Sequence, residues 1–217
     1  MSATHIWLTI ALMALAYLIG SVPFSYLVAR ANGVDLRKVG SGNVGGANVW
    51  RNCGFGPFVL AALGDIIKGM LPTLAALHLS DWARLIGLRV EGLPPGAVIL
   101  VGVAAILGHT FSLFLDFKGG KAVATSTGVL LAIFPLLIPI GLVAWVAAFL
   151  ITRMSSVGSL TAAAAEMIAG TVLYITGRLP LAYVVFIWVM VAFIIFLHRT
   201  NIQRLLAGTE NRFSRIL

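Results

Sequence analysis

The chain has 217 residues, 60% of them hydrophobic and only 10% charged, with a mean hydropathy of +1.03. This composition excludes a soluble globular domain, because runs of about 20 apolar residues can each cross a bilayer. Fifteen basic against seven acidic residues give a formal net charge of +8, which suits anionic headgroups or an anionic substrate without separating the two.

Apolar stretches and short polar segments alternate along the chain. Residues 6–29 form the first apolar run. Ala29-Arg30-Ala31 loosely resembles a cleavage site, but no Lys or Arg precedes the run, so it reads as a retained first helix. The second run, 54–79, carries Asp65 and Lys68 three residues apart, a spacing that pairs them on one helix face. Pairing offsets the cost of about 2.5–3.5 kcal/mol for each isolated charge, and both residues are read as structural support. The third run is 94–108. The fourth, 122–151, has Pro135 and Pro139 near its middle and fits either one long tilted helix or two short ones. The fifth, 157–176, places Glu166 on a face with Ser159, Ala162, Ala163, Ala169 and Gly170, the pattern of a close helix contact. The sixth is 179–197.

Charge decides the fourth run. With two helices there, the polar segments 30–51, 108–125, 152–156 and 198–215 share one face. That face then holds Arg30, Arg37, Lys38, Arg51, Lys118, Lys121, Arg153, Arg199, Arg204, Arg212 and Arg215, and the other only Arg84, Arg89 and Arg178. By the positive-inside tendency this predicts seven spans, with the N-terminus outside and the C-terminus cytoplasmic. The expected fold is all-α and polytopic: one membrane-embedded domain over 1–217 whose cytoplasm-facing site is built from short loops.

Each polar segment has a plain and a sharp reading. In GSGNVGGANVWR (40–51), a connector could be glycine-rich, but it would not need Asn43, Asn48 and a terminal Arg51 whose fork suits phosphate. Gly40, Ser41 and Gly42 complete that candidate anion loop. Lys118-Gly119-Gly120-Lys121 is expected to open a helix whose N-terminal amides favour an anion, with His109 adding weight. It is not a P-loop, because GxxxxGK[ST] is unmatched, and two lysines beside a bilayer are commonly headgroup anchors. In the C-terminal segment, His198, Asn201 and Arg204 fall on adjacent helical turns, and Glu210 does not fit a merely basic tail. Ser155 and Ser156 alone read as a helix N-cap. Cys53, the single cysteine, reads as a small buried residue.

Other chemistries are missing. Seven carboxylates without a close cluster leave no metal cage, so no metal is expected. His109 and Asp116 are seven apart, which does not match the HxxxxD acyltransferase signature, and GxSxG does not occur.

Taken together, GSVPFSYL (20–27), GSGNVGGANVWR, GHTFSLFLDFKGGKAVAT (108–125), the Ser155-Ser156 pair and HRTNIQRLLAGTE (198–210) resemble the ordered motifs of the bacterial acyl-phosphate:glycerol-3-phosphate acyltransferases, the PlsY family. The resemblance covers nearly the whole chain. It departs from the usual GSGNPGATN at Val44, Gly46 and Ala47, from FP at Ser112 and from KGGKG at Ala122.

The resemblance implies a seven-helix enzyme of the bacterial cytoplasmic (inner) membrane. It would move a fatty acyl group from acyl phosphate to the 1-hydroxyl of glycerol 3-phosphate, an early step of phospholipid synthesis. The implied partners are those two substrates and membrane lipids, with no nucleic acid. Acyl phosphate is already activated, so positioning and charge stabilisation can carry the reaction without a covalent intermediate or an added cofactor. Ser41, Asn43, Asn48 and the loop glycines would hold a phosphate or the developing oxyanion, and Arg51 the leaving phosphate. The resemblance places glycerol 3-phosphate at Lys118, Gly119, Gly120 and Lys121, with Ser155, Ser156, His198 and Asn201 completing the wall. Glu210 would fix the C-terminal segment. His109 binds and orients, with general base as the weaker role, since a histidine among phosphates tends to stay cationic. Two alternatives remain open: an acyl carrier protein or acyl-CoA donor, and a transporter of a phosphorylated solute with Glu166 and Asp65/Lys68 as pathway charges.

Overall fold

The computed structural model describes residues 3–214; Arg215, counted above with the basic tail, lies outside the described residues. All regular structure described is helical. In chain order the helices are α1 (Ala3–Ser21), α2 (Phe24–Ala31), α3 (Gly46–Cys53), α4 (Phe55–Leu77), α5 (Leu79–Leu85), α6 (Pro95–Thr110), α7 (Val123–Ile133), α8 (Leu137–Thr152), α9 (Ser155–Ile175), α10 (Leu181–Leu197) and α11 (Arg199–Leu206). A single 3₁₀ turn covers Leu113–Leu115.

Among the described residues, four helical stretches are long and apolar enough to cross a membrane: Ala3–Ala31, Phe55–Leu77, Pro95–Leu115 and Ser155–Ile175. A fifth is α10 taken with α11, bent by 59° between them, while α7 and α8 are shorter apolar helices. Proline chemistry sets the two internal breaks. The run over 122–151 divides into α7 and α8 at residues 134–136, where Pro135 lacks the N–H a continuing helix needs. Pro139 sits in the first turn of α8, where its missing donor costs nothing. The first run is not the single helix that its apolar length suggests, because Pro23 separates α1 from α2.

The chain forms two compact units: Met1–Ser25 with Ala61–Phe134, and Tyr26–Leu60 with Pro135–Leu217. In the first, glycines let helices meet at backbone contact. A Cβ on Gly20 would strike the Ala105 carbonyl, one on Gly108 the Tyr17 carbonyl, and one on Gly128 the Ile66 carbonyl. Such small-residue contacts replace hydrophobic drive where lipid is as apolar as the core. Ser112, one of the departures from the family pattern, donates from Oγ to the Ser21 carbonyl at 2.6 Å, a bond that proline could not make.

In the second unit, Trp50, Phe58, Phe149 and Phe213 form an aromatic cluster with ring centroids about 5 Å apart. There α8 packs on α9, with Gly141 against the Glu166 carboxyl and Gly158 against Trp145. Glu166 thus makes the close helix contact that its small-residue face predicted.

Candidate active site

In the second unit the loop before α3 is shaped by two left-handed glycines, Gly40 (φ +56°) and Gly42 (φ +70°). Asn48 organises it from the first turn of α3. Its Nδ2 lies 3.0–3.1 Å from the carbonyls of Leu36, Val39 and Asn43, and its Oδ1 accepts from Asn52 Nδ2 at 3.0 Å and from the Ser41 amide at 3.4 Å. Asn48 is 1% exposed. Its assignment to substrate binding is therefore corrected: its amide is fully engaged in holding the loop. Ser41 Oγ accepts the Asn43 amide at 3.4 Å, which leaves its hydroxyl proton to donate, and Asn43 Oδ1 is buried without a partner.

Arg51 follows on α3. Its Nη2 donates to the Asn211 carbonyl at 3.3 Å, its Cζ stands 4.5 Å from the centre of the Phe213 ring, and its Nε is buried without a partner. Burial lowers its pKa, with Arg204 acting in the same direction and Glu210 against it, yet a guanidinium stays charged under all working conditions.

Glu210 gathers the C-terminal residues. Its Oε1 accepts from Ser156 Oγ at 2.8 Å and Asn201 Nδ2 at 2.6 Å, and its Oε2 from Arg204 Nε at 2.8 Å. Burial alone would raise the carboxyl pKa; the bonds from Arg204, Asn201 and Ser156 outweigh it and hold the group below the usual range. The expected role of Glu210 as an anchor thus has a geometry. Ser155 and Ser156 are not an N-cap: Met154 occupies that position and Ser155 opens α9. His198 sits at the bend between α10 and α11, its Nδ1 2.8 Å from the Ile194 carbonyl.

In the first unit a buried polar cluster centres on Asp65. Lys68 Nζ is 2.7 Å from Asp65 Oδ1, Ser25 Oγ donates to Oδ2 at 2.6 Å, and His109 Nδ1 lies 3.5 Å from Oδ1. Lys68 also donates to the Val22 carbonyl at 2.8 Å, at the break that Pro23 makes. His109 lies inside α6, one residue before its end.

The Lys118–Lys121 segment runs back along the end of α6. The Gly119 amide donates to the Thr110 carbonyl at 2.9 Å and the Gly120 amide to the His109 carbonyl at 3.1 Å. Helix α7 starts only at Val123, behind Ala122 in a left-handed conformation. The expectation that the glycine amides cradle an anion at a helix start is corrected accordingly: both amides are bonded to α6. Glycine is required there for a different reason. A Cβ on Gly119 would meet the His109 carbonyl, and one on Gly120 the His109 ring at Nε2. Gly119→Ala should therefore lower stability by about 1–3 kcal/mol, seen as a reduced Tm of the purified protein. Gly120→Ala should act on the His109 ring and lower the activity of the purified protein at nearly unchanged Tm. Lys118 is exposed and Lys121 half-buried.

Sequence reasoning missed Ser25, which holds Asp65, and Asn211 and Phe213, which hold Arg51. The signals were present: Ser25 lies in GSVPFSYL, and Phe213 is an aromatic residue in an otherwise polar tail.

Comparison with known proteins places the chain. The glycerol-3-phosphate acyltransferase family model matches residues 10–208. A glycerol-3-phosphate acyltransferase of Roseiflexus sp. (strain RS-1) is 59% identical, over 96% of this chain and 97% of its own. A counterpart from Thermus thermophilus is 45% identical over 92% of each. Among solved structures, the glycerol 3-phosphate form of PlsY, an integral membrane glycerol 3-phosphate acyltransferase, is 37% identical. It superposes with a TM-score of 0.80 over 95% of this chain and 96% of that one. The lysophosphatidic acid form of PlsY is 36% identical with a TM-score of 0.78, covering 95% of each chain. The chain belongs to the glycerol-3-phosphate acyltransferase family of integral membrane enzymes.

Proposed function

We propose that this enzyme transfers a fatty acyl group from acyl phosphate to the 1-hydroxyl of glycerol 3-phosphate, giving 1-acylglycerol 3-phosphate and inorganic phosphate. The observation that carries the reading is Arg51, a half-buried guanidinium with one N–H on Asn211 and its remaining donors available to a phosphate. One PlsY structure is a glycerol 3-phosphate form and the other a lysophosphatidic acid form, and this chain is 37% and 36% identical to them.

The hydroxyl oxygen of glycerol 3-phosphate attacks the acyl carbon, the bond from that carbon to the phosphate oxygen breaks, and phosphate leaves. Arg51 neutralises the leaving phosphate, and the Ser41 hydroxyl and the Asn43 side-chain Nδ2 donate to the developing negative charge. Lys118 and Lys121 hold the phosphate of glycerol 3-phosphate. His109 orients the acceptor side, and a substrate phosphate takes the proton of the attacking hydroxyl. Most described carboxylates inside the fold are committed: Asp65 to Lys68 and Ser25, Glu210 to Ser156, Asn201 and Arg204. EDTA should accordingly leave the rate unchanged, and an EDTA-sensitive enzyme restored by Mg²⁺ would contradict this.

The same reading makes the whole chain one domain of the bacterial inner membrane, with seven spans, the N-terminus outside and the site on the cytoplasmic side. In a Cys53→Ser background, cysteines at the exposed positions Asn32 and Thr209 should label from the cytoplasm, and one at Gly92 from outside. Either of the first two labelling only from outside would break this topology. The donor is tested by offering purified enzyme acyl phosphate, acyl-CoA and acyl carrier protein thioester in parallel. Only acyl phosphate should support turnover, and comparable turnover with a thioester would replace the proposed donor.

A further inference from the structure

We propose that residues 209–214 form a strap that sets the plane of the Arg51 guanidinium, with Phe213 as a positioning residue for catalysis. This rests on Arg51 being the group that holds the leaving phosphate. All the residues concerned lie in the second unit.

The strap is tied at Thr209, Glu210, Asn211 and Phe213. The Thr209 amide donates to the Arg204 carbonyl at 2.8 Å, Glu210 accepts from three side chains, and the Phe213 amide donates to the Arg153 carbonyl at 2.9 Å. Arg153 caps α8 with a φ of +58°, a left-handed conformation uncommon for a non-glycine residue, and that conformation turns its carbonyl to the strap. The segment is thus held in place without regular structure of its own.

Two of the strap's residues bear on Arg51. Phe213, 4% exposed, presents its ring 4.5 Å from Cζ, and the Asn211 carbonyl takes one N–H of Nη2. A guanidinium has five donors, all in its plane. A ring over one face and a carbonyl at one corner fix that plane and leave the other in-plane donors for a bidentate phosphate. Phe213 is itself held by Trp50 (centroids 4.9 Å apart) and Phe149 (5.2 Å, edge-on), so the ring under Arg51 has little freedom. Trp50 immediately precedes Arg51 on α3, which couples the aromatic cluster directly to the arginine.

Phe213 could serve only as packing, and the test separates that from positioning. Phe213→Leu fills much of the same volume but removes the ring face. It should lower kcat about tenfold, the scale of a cation–π contact, with the KM for glycerol 3-phosphate within about twofold. Where that variant does not fold, ring-fluorinated phenylalanines at position 213 keep the shape while draining the ring face. The expected result is a stepwise fall in kcat with fluorination at constant Tm. A flat fluorine series, or wild-type kcat in a folded Phe213→Leu, would overturn the inference. Arg51→Ala is measured alongside. Its activity should be low and should not fall further when combined with Phe213→Leu; additive losses would show that Phe213 acts independently of Arg51 and would also overturn the inference. Near wild-type turnover by Arg51→Ala would instead remove the phosphate-holding role of Arg51, whereas a dead Arg51→Ala with a flat fluorine series removes only the strap.

Discussion

Arg51→Lys should lower kcat by about 10²-fold or more while the protein still inserts and purifies at its normal yield. Lysine keeps the charge but loses what the structure uses. A point ammonium cannot donate to Asn211, lie flat over Phe213 and offer two parallel N–H groups to one phosphate. Its stem would also leave space beside the aromatic cluster. Turnover within a fewfold of wild type, measured as phosphate release, would show that charge alone suffices and that the fork has no role.

The second large effect concerns stability. Asp65→Ala should destabilise the fold by about 3–5 kcal/mol, because it leaves Lys68 buried without its counter-ion. Both side chains are 2–3% exposed, and the Val22 carbonyl would be the remaining bonded partner of the ammonium group. The same change strands Ser25 Oγ and removes the carboxylate facing His109 Nδ1. The double variant Asp65→Leu/Lys68→Met should recover most of that loss, since an apolar pair of similar volume has no charge to desolvate. Unfolding in detergent resolves these outcomes, and an Asp65→Ala protein as stable as wild type would mean that Lys68 finds another partner or loses its proton.

Much of this was readable from residue order. The Asp65/Lys68 pair followed from three-residue spacing in an apolar helix, since an unpaired charge there is too costly. The division of 122–151 followed from two prolines and from the placement of Arg153. The anchoring role of Glu210 followed from an acidic residue inside a basic tail. What stayed hidden was the partner of each polar atom. Asn48 and the glycines of Lys118–Lys121 had the composition of ligand-binding groups, but the carbonyls that engage them, Leu36, Val39, Thr110 and His109, belong to backbone that composition does not report. In a membrane protein that outcome has a physical basis. Irregular loops at the ends of spans must satisfy their own backbone before they can serve a ligand. Glycine in such a loop has two explanations, close approach of a ligand or close approach of another segment, and here the second holds for Gly119 and Gly120.

In the proposed reaction the acyl group passes directly from acyl phosphate to glycerol 3-phosphate, with phosphate as the leaving group and no acyl-enzyme between them. The measurement that tests it most directly follows inorganic phosphate and acylated product together, in purified enzyme given acyl phosphate with and without glycerol 3-phosphate. One phosphate should be released per 1-acylglycerol 3-phosphate formed, with neither a burst nor steady release when the acceptor is left out. A stoichiometric burst of phosphate without acceptor, with the acyl group retained on the protein, would contradict it.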